Sequence, residues 1–126
     1  MIEHVAIWTD DLERLRAFYE RYLGAIAGER YENASTGLRS YFLELGGARL
    51  ELMQMPAVDK RAAGDQQRLG LAHIAFALGS EQAVDELTDR LRSDDYAILD
   101  GPRRTGDGYY ESVVRDPDGN LIELTV

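Results

Sequence analysis

The chain contains two histidines, His4 and His73, and each sits in a segment of the same kind. Ile2-Glu3-His4-Val5-Ala6-Ile7 is echoed by Leu71-Ala72-His73-Ile74-Ala75-Phe76. Two glutamates recur in the same way, with Ala48-Arg49-Leu50-Glu51-Leu52-Met53 echoed by Asn120-Leu121-Ile122-Glu123-Leu124-Thr125. The histidines lie 69 positions apart and the glutamates 72, so each half opens on a histidine and closes on a glutamate, as in a duplicated module. Taken singly, a strand histidine is more often a hydrogen-bonded structural residue than a ligand, and a lone surface glutamate is ordinarily solvated. Matched recurrence of both changes the balance. Two imidazoles and two carboxylates lining one cavity are costly to bury without a counter-charge, and one divalent cation held by His4, Glu51, His73 and Glu123 supplies it. Nitrogen and oxygen donors without sulfur suit Zn, Ni, Co, Mn or Fe(II).

The elements that must position these residues follow from periodicity. Ile2 to Thr9 reads as a strand, after which Asp10 is the expected helix cap, with Glu13 completing a capping box. Leu12, Leu15, Phe18, Tyr19, Tyr22 and Leu23 recur at helical spacing, and Gly24 suits the C-terminal cap. Extended segments are expected near 28–33, 38–45 and 48–54, the last two joined by a hairpin at Gly46-Gly47. The second half repeats the layout: a strand at 71–78, a helix capped by Ser80 with Val84, Leu87 and Leu91 as its apolar stripe, then strands near 96–99, 109–115 and 121–126. The last of these follows the turn Pro117-Asp118-Gly119-Asn120. The polar stretch 56–69 reads as a linker. The expected architecture is α+β, with two βαβββ modules, 1–55 and 70–126, forming one domain over 1–126.

Alternation along a strand assigns faces. His4 falls with Ala6 and Trp8, opposite Val5 and Ile7; Glu51 falls with Met53 and Met55, opposite Leu50 and Leu52. His73 falls with Ala75 and Ala77, and Glu123 with Thr125, each opposite bulky aliphatics. Helices therefore cover the aliphatic faces, and the titratable faces line a concavity. Trp8, Met53 and Met55 share it and are candidate substrate contacts. Of the adjacent Tyr109 and Tyr110, one must face the cavity, and Tyr110 is taken as the candidate.

Composition sets the surroundings. The 126 residues carry 14 basic against 23 acidic side chains, a net charge of −9. The basic residues are interleaved with acids, as in Asp89-Arg90-Leu91-Arg92-Ser93-Asp94, which argues against nucleic acid or an anionic membrane as partner. With no cysteine there is neither disulfide nor thiolate chemistry, and no apolar run is long enough to span a bilayer. The start lacks the basic and then apolar regions of a signal peptide, so a cytoplasmic protein is expected. Exposed sheet edges favour association, and a homodimer acting on a small molecule is the expected state.

The order His4, Glu51, His73, Glu123 on paired βαβββ modules resembles the vicinal oxygen chelate superfamily, which has the glyoxalase/bleomycin resistance/dioxygenase fold. Phe18-Tyr19 followed by Leu23-Gly24, and Asp116-Pro117-Asp118-Gly119-Asn120-Leu121-Ile122-Glu123-Leu124, carry the resemblance over essentially the whole chain. Within the superfamily the ligand set is similar to that of glyoxalase I, lactoylglutathione lyase; related epimerases usually carry Gln at the position of Glu51. The resemblance implies a curved mixed sheet around a metal cavity. It also implies a metal-dependent lyase or isomerase acting on a hemithioacetal, or a similar substrate with two adjacent oxygens, through an enediolate. Glu123 or Glu51 would then move the proton, and a thiol would serve as cosubstrate. Trp8 stands where glutathione-using relatives carry an arginine, and Met55 where they carry an asparagine, which implies a more apolar pocket. Arg103 and Arg104 lie where relatives hold basic anion-contacting residues, and Arg104 is the candidate contact. Alternatives on the same fold are a small-molecule binding or resistance protein, whose members generally lack the ligand set, and an Fe(II) dioxygenase, which needs the position of Glu51 open.

Overall fold

The computed structural model describes residues 2–58 and 70–126. The chain divides into two compact units, 1–61 and 62–126. Most of the expected linker, 59–69, lies outside the described residues.

The first unit runs β1 (His4–Trp8), α1 (Leu12–Leu23), β2 (Ile26–Ala27), β3 (Tyr31–Asn33), β4 (Leu38–Leu45) and β5 (Ala48–Gln54). Its sheet has the order β1-β5-β4-β2, with β3 also pairing β4; β1 runs parallel to β5 and the other pairs are antiparallel. The β4–β5 connection is tight because Gly46 and Gly47 both take positive φ, 60° and 99°, as the hairpin signal requires. Helix α1 lays Leu12, Leu15, Phe18 and Tyr19 over Leu43, Leu50 and Leu52, all at most 3% exposed. Its cap is Asp11 rather than the expected Asp10: Asp11 Oδ1 accepts the Arg14 amide at 3.0 Å. Glu13, now two residues after the cap where a capping box needs three, turns outward to Arg16 and to the Tyr41 hydroxyl, which donates to it at 2.9 Å. Of the extended segment expected at 28–33 only Tyr31–Asn33 forms a strand, β3, and the short strand β2 precedes that segment at Ile26–Ala27. Gln54 also pins the helix entrance, accepting the Leu12 amide at 3.2 Å and donating to the Asp10 carbonyl at 2.8 Å.

The second unit runs β6 (Ile74–Ala77), α2 (Glu81–Ser93), β7 (Ile98–Arg104), β8 (Tyr110–Arg115) and β9 (Leu121–Thr125). The sheet order is β6-β9-β8-β7, again with the first and last strands parallel. Ser80 caps α2, accepting the Ala83 amide at 3.1 Å, as expected. Val84, Thr88 and Leu91 bury against Val114, Ile122 and Leu124, none more than 1% exposed. β7 extends five residues past the expected 99 because register shifts flank Asp100, letting the strand bend and continue. Before β9, Asp116 holds the turn: its Oδ1 accepts the Asp118 and Asn120 amides at 3.0 and 2.9 Å, and its Oδ2 accepts the Asn120 side-chain amide at 2.8 Å.

Candidate metal centre

In each unit the parallel pairing sets the histidine beside the glutamate by the same rule. Ala6 is opposite Glu51, and His4 lies two residues before Ala6; Ala75 is opposite Glu123, and His73 lies two residues before Ala75. Each imidazole therefore leans diagonally over a carboxylate on the same face. His4 Nε2 stands 3.5 Å from Glu51 Oε2, and His73 Nε2 stands 3.2 Å from Glu123 Oε2. The carboxylates are mostly covered, with 15% and 19% of their side-chain surface exposed, and the imidazoles lie nearer solvent at 37% and 43%. Among the described residues no third histidine or carboxylate joins either pair as a metal-binding group. Each unit brings two donors together.

These separations fit neighbouring ligands of one ion. Donors bound at about 2.0–2.2 Å stand roughly 3.0–3.5 Å apart in octahedral or tetrahedral geometry. The environment of His4 adds a chemical reason. Its Nδ1 donates to Glu3, whose carboxylate can only accept. A neutral ring so tied presents a lone pair at Nε2 to Glu51 Oε2, another acceptor. A cation between them, a proton or a metal ion, reconciles the contact.

The faces around the pairs differ. Beside Glu51 lie Phe42, paired with it on β4, and Trp8 paired with Met53. Trp8 is 45% exposed, and Met53 is half-buried, so the apolar surface expected on this face is present. Met55 lies one residue beyond the end of β5. Beside Glu123, Val113 is its partner on β8, and Glu111 pairs with Thr125 on the same face. Burial, then the negative charges of Glu123 and Asp107, push the Glu111 carboxyl above the usual glutamate range.

Two expected substrate contacts sit elsewhere. Arg104 pairs with Tyr110, on the side of β8 that carries the buried Ser112 and Val114 under α2. The Tyr110 hydroxyl donates to Asp85 of α2 at 2.6 Å, Arg104 donates to Glu81 at the start of α2, and the Arg104 guanidinium lies 5.8 Å from the Tyr110 ring centroid. Both residues serve the helix side. The residues on the Glu123 side are Glu111 and its partner Arg103. Arg103 is already held by Asp100, donating to both of its oxygens at 2.7–3.0 Å. That bond keeps the Asp100 carboxyl below its usual range. Period-2 alternation along β8 would have found Glu111: Tyr110 shares its row with the buried Ser112 and Val114, leaving Glu111, Val113 and Arg115 on the opposite side.

A family model described as the Glyoxalase/Bleomycin resistance protein/Dioxygenase superfamily matches residues 1–124. Protein YqjT of Bacillus subtilis (strain 168) is 28% identical over 130 residues, covering 98% of this chain and 96% of its own. The mitochondrial methylmalonyl-CoA epimerase of Bos taurus is 38% identical over 93 residues, 71% of this chain and 53% of the epimerase, so the match spans about half of that relative. Among solved structures, the trypanothione-dependent glyoxalase I of Leishmania major aligns with a TM-score of 0.76 at 26% identity, covering 99% of this chain and 85% of that one. The doubled His–Glu pair, with His4 on β1 and His73 just before β6, thus sits in a chain that belongs to the Glyoxalase/Bleomycin resistance protein/Dioxygenase superfamily.

Proposed function

We propose that the protein is a divalent-metal-dependent lyase or isomerase of glyoxalase I type, in which His4, Glu51, His73 and Glu123 hold one ion. The second pair comes from the same chain or from the partner of a homodimer. The observation that carries the reading is the repeated diagonal contact, 3.5 Å in one unit and 3.2 Å in the other, between an imidazole Nε2 and a largely covered carboxylate.

When bound, the cation supplies Lewis-acid polarisation of two adjacent oxygens on the substrate, such as those of a 2-oxoaldehyde hemithioacetal. The chain's own residues do the rest. His4 and His73 donate neutral nitrogen and add no charge. Glu51 and Glu123 set the negative charge of the centre, and one of them takes a proton from one carbon and returns it to the neighbouring carbon. Trp8 and Met53 give the first unit's face an apolar wall, which favours a thiol or aldehyde with an apolar group over a tripeptide thiol. Glu51 also favours this reading over epimerisation, because a carboxylate stands where the resemblance expects an amide in epimerases. The 38% identity to methylmalonyl-CoA epimerase supports a second reading, proton exchange beside a thioester carbonyl, which needs the same cation and base.

The test is turnover of metal-reconstituted protein on hemithioacetals of several thiols, beside a 2-methyl acyl thioester in deuterated water. Of Glu123→Gln and Glu51→Gln, the one that removes the base should retain the ion and lose on the order of 10²–10⁴ in rate. Isomerisation of a hemithioacetal supports the lyase reading, and deuterium uptake by the thioester alone supports the epimerase reading. Failure of the wild-type protein to retain any divalent ion, or unchanged turnover in both Glu123→Gln and Glu51→Gln, overturns the proposal.

A further inference from the structure

We propose that Glu3, Arg49 and Phe42 form a closed support that fixes the orientation and tautomer of His4, making the first pair the preset half of the centre. His73 has no such support at the matched positions. The inference rests on the reading of His4 as a ligand.

The support can be followed from contact to contact. His4 Nδ1 donates to Glu3 Oε2, and Arg49 Nη2 donates to the other oxygen of that carboxylate, Oε1. The Arg49 guanidinium carbon lies 4.4 Å from the Phe42 ring centroid, a cation–π distance. Phe42 meets the His4 ring edge-on, with centroids 5.2 Å apart and planes at 86°. The register makes this circuit: Arg49 is opposite His4 on β5, and Phe42 is opposite Glu51 on β4. Glu3 precedes β1 and is 60% exposed in its side chain, while Arg49 is 34% exposed. The ion pair alone is therefore weakly stabilising, and the geometric constraint on the ring is the substantive effect.

A carboxylate accepts and never donates, so the Glu3 contact is made only by a ring with hydrogen on Nδ1. The nitrogen left for an ion is Nε2, the one facing Glu51. In the second unit Ala72 stands in the place of Glu3, Leu121 in that of Arg49, and Val113, the partner of Glu123, in that of Phe42. None of these side chains can accept a ring hydrogen or stack a cation. The duplicated modules thus repeat the donors while supporting only one of the two imidazoles in this way.

Two measurements separate this idea from the metal reading itself. In metal-free protein at alkaline pH, long-range nitrogen–proton NMR should find His4 with hydrogen on Nδ1, and Glu3→Ala should shift it to a mixture of tautomers. Titration calorimetry with Zn²⁺ should show a roughly 10–100-fold loss of affinity in Glu3→Ala and a smaller loss in Arg49→Met. Glu3→Gln, whose amide oxygen still accepts from Nδ1, should recover the tautomer and most of the affinity. A His4 tautomer unchanged by Glu3→Ala overturns the inference whether or not an ion binds. Equal Zn²⁺ affinity in wild type and Glu3→Ala also overturns it. Absence of Zn²⁺ binding by the wild type, with the tautomer shift intact, removes the ligand reading and leaves the support of His4 standing.

Discussion

The bond between Thr88 and Ser112 ties α2 to the middle of the second sheet, directly behind Glu111 and Val113, and the two hydroxyls should differ in cost when removed. Both residues are fully buried. Thr88 Oγ1 donates to the Val84 carbonyl at 2.6 Å, which uses its only proton, so the 2.6 Å contact with Ser112 Oγ must be a donation from Ser112. Thr88→Val preserves shape and helix propensity but removes the acceptor, leaving a buried serine hydroxyl unsatisfied at a cost of about 1–3 kcal/mol. Ser112→Ala leaves Thr88 bonded to Val84 and forfeits one hydrogen bond, about 0.5–1.5 kcal/mol. The double variant removes donor and acceptor together and should cost about 1 kcal/mol less than the sum of the single changes. Urea unfolding followed by circular dichroism, with unchanged denaturant sensitivity, gives all three values. Equal single-variant costs, or additivity within about 0.3 kcal/mol, would refute the assigned direction of the bond.

Glu111→Gln tests the burial of a carboxylate beside Glu123. A raised carboxyl pKa means the folded protein holds more protons than the unfolded chain between the usual glutamate value and the raised one. Metal-free wild type should therefore gain stability as pH falls through that window, a gain Glu111→Gln flattens; identical pH profiles would discount it. The Tyr41 hydroxyl is raised by burial and by its bond to Glu13, and that of Tyr110 by its bond to Asp85, so both should ionise above the usual tyrosine range in an ultraviolet titration. The stability each contributes is present below about pH 10 and lost as pH rises further, and Asp85→Asn should return one tyrosine to ordinary behaviour. Gly101→Ala should destabilise by about 2 kcal/mol or more, because its φ is +75° and a Cβ there would come within 2.4 Å of the Glu111 carbonyl oxygen. Thermal melts check it, and a neutral result would show that β7 can shift away from β8.

The His–Glu pairs were legible because two periodicities agree: a repeat in the sequence and alternation within strands. Each strand's aliphatic row, such as Leu50 and Leu52, declares the helix side and thereby the side of Glu51. Boundaries were less legible. Asp10 and Asp11 have equal capping chemistry, and the choice is made by Gln54, distant in sequence, which accepts the Leu12 amide and donates to the Asp10 carbonyl. Arg104 could not be placed by counting along β7, since irregularities on both sides of Asp100 break the alternation there. Tyr110 carried a readable signal through the row Tyr110, Ser112, Val114, but an aromatic next to a suspected pocket looked like a contact and proved to be a tether to α2. Glu3 gave no signal in the sequence, because an exposed acid beside a histidine acquires meaning only when Arg49 arrives opposite on β5.

The parallel pairing of first and last strands has a consequence for assembly. In each unit the imidazole is among the earliest residues of its module and the carboxylate among the last, joined by the β1–β5 or β6–β9 ladder. Neither pair can exist until the first and last strands of its module have met, so a pair able to chelate would form only when the module is complete. An ion captured there would grip the two extremities of a long closed loop, favouring finished chains over partly formed ones and hardening the module against unravelling from either end.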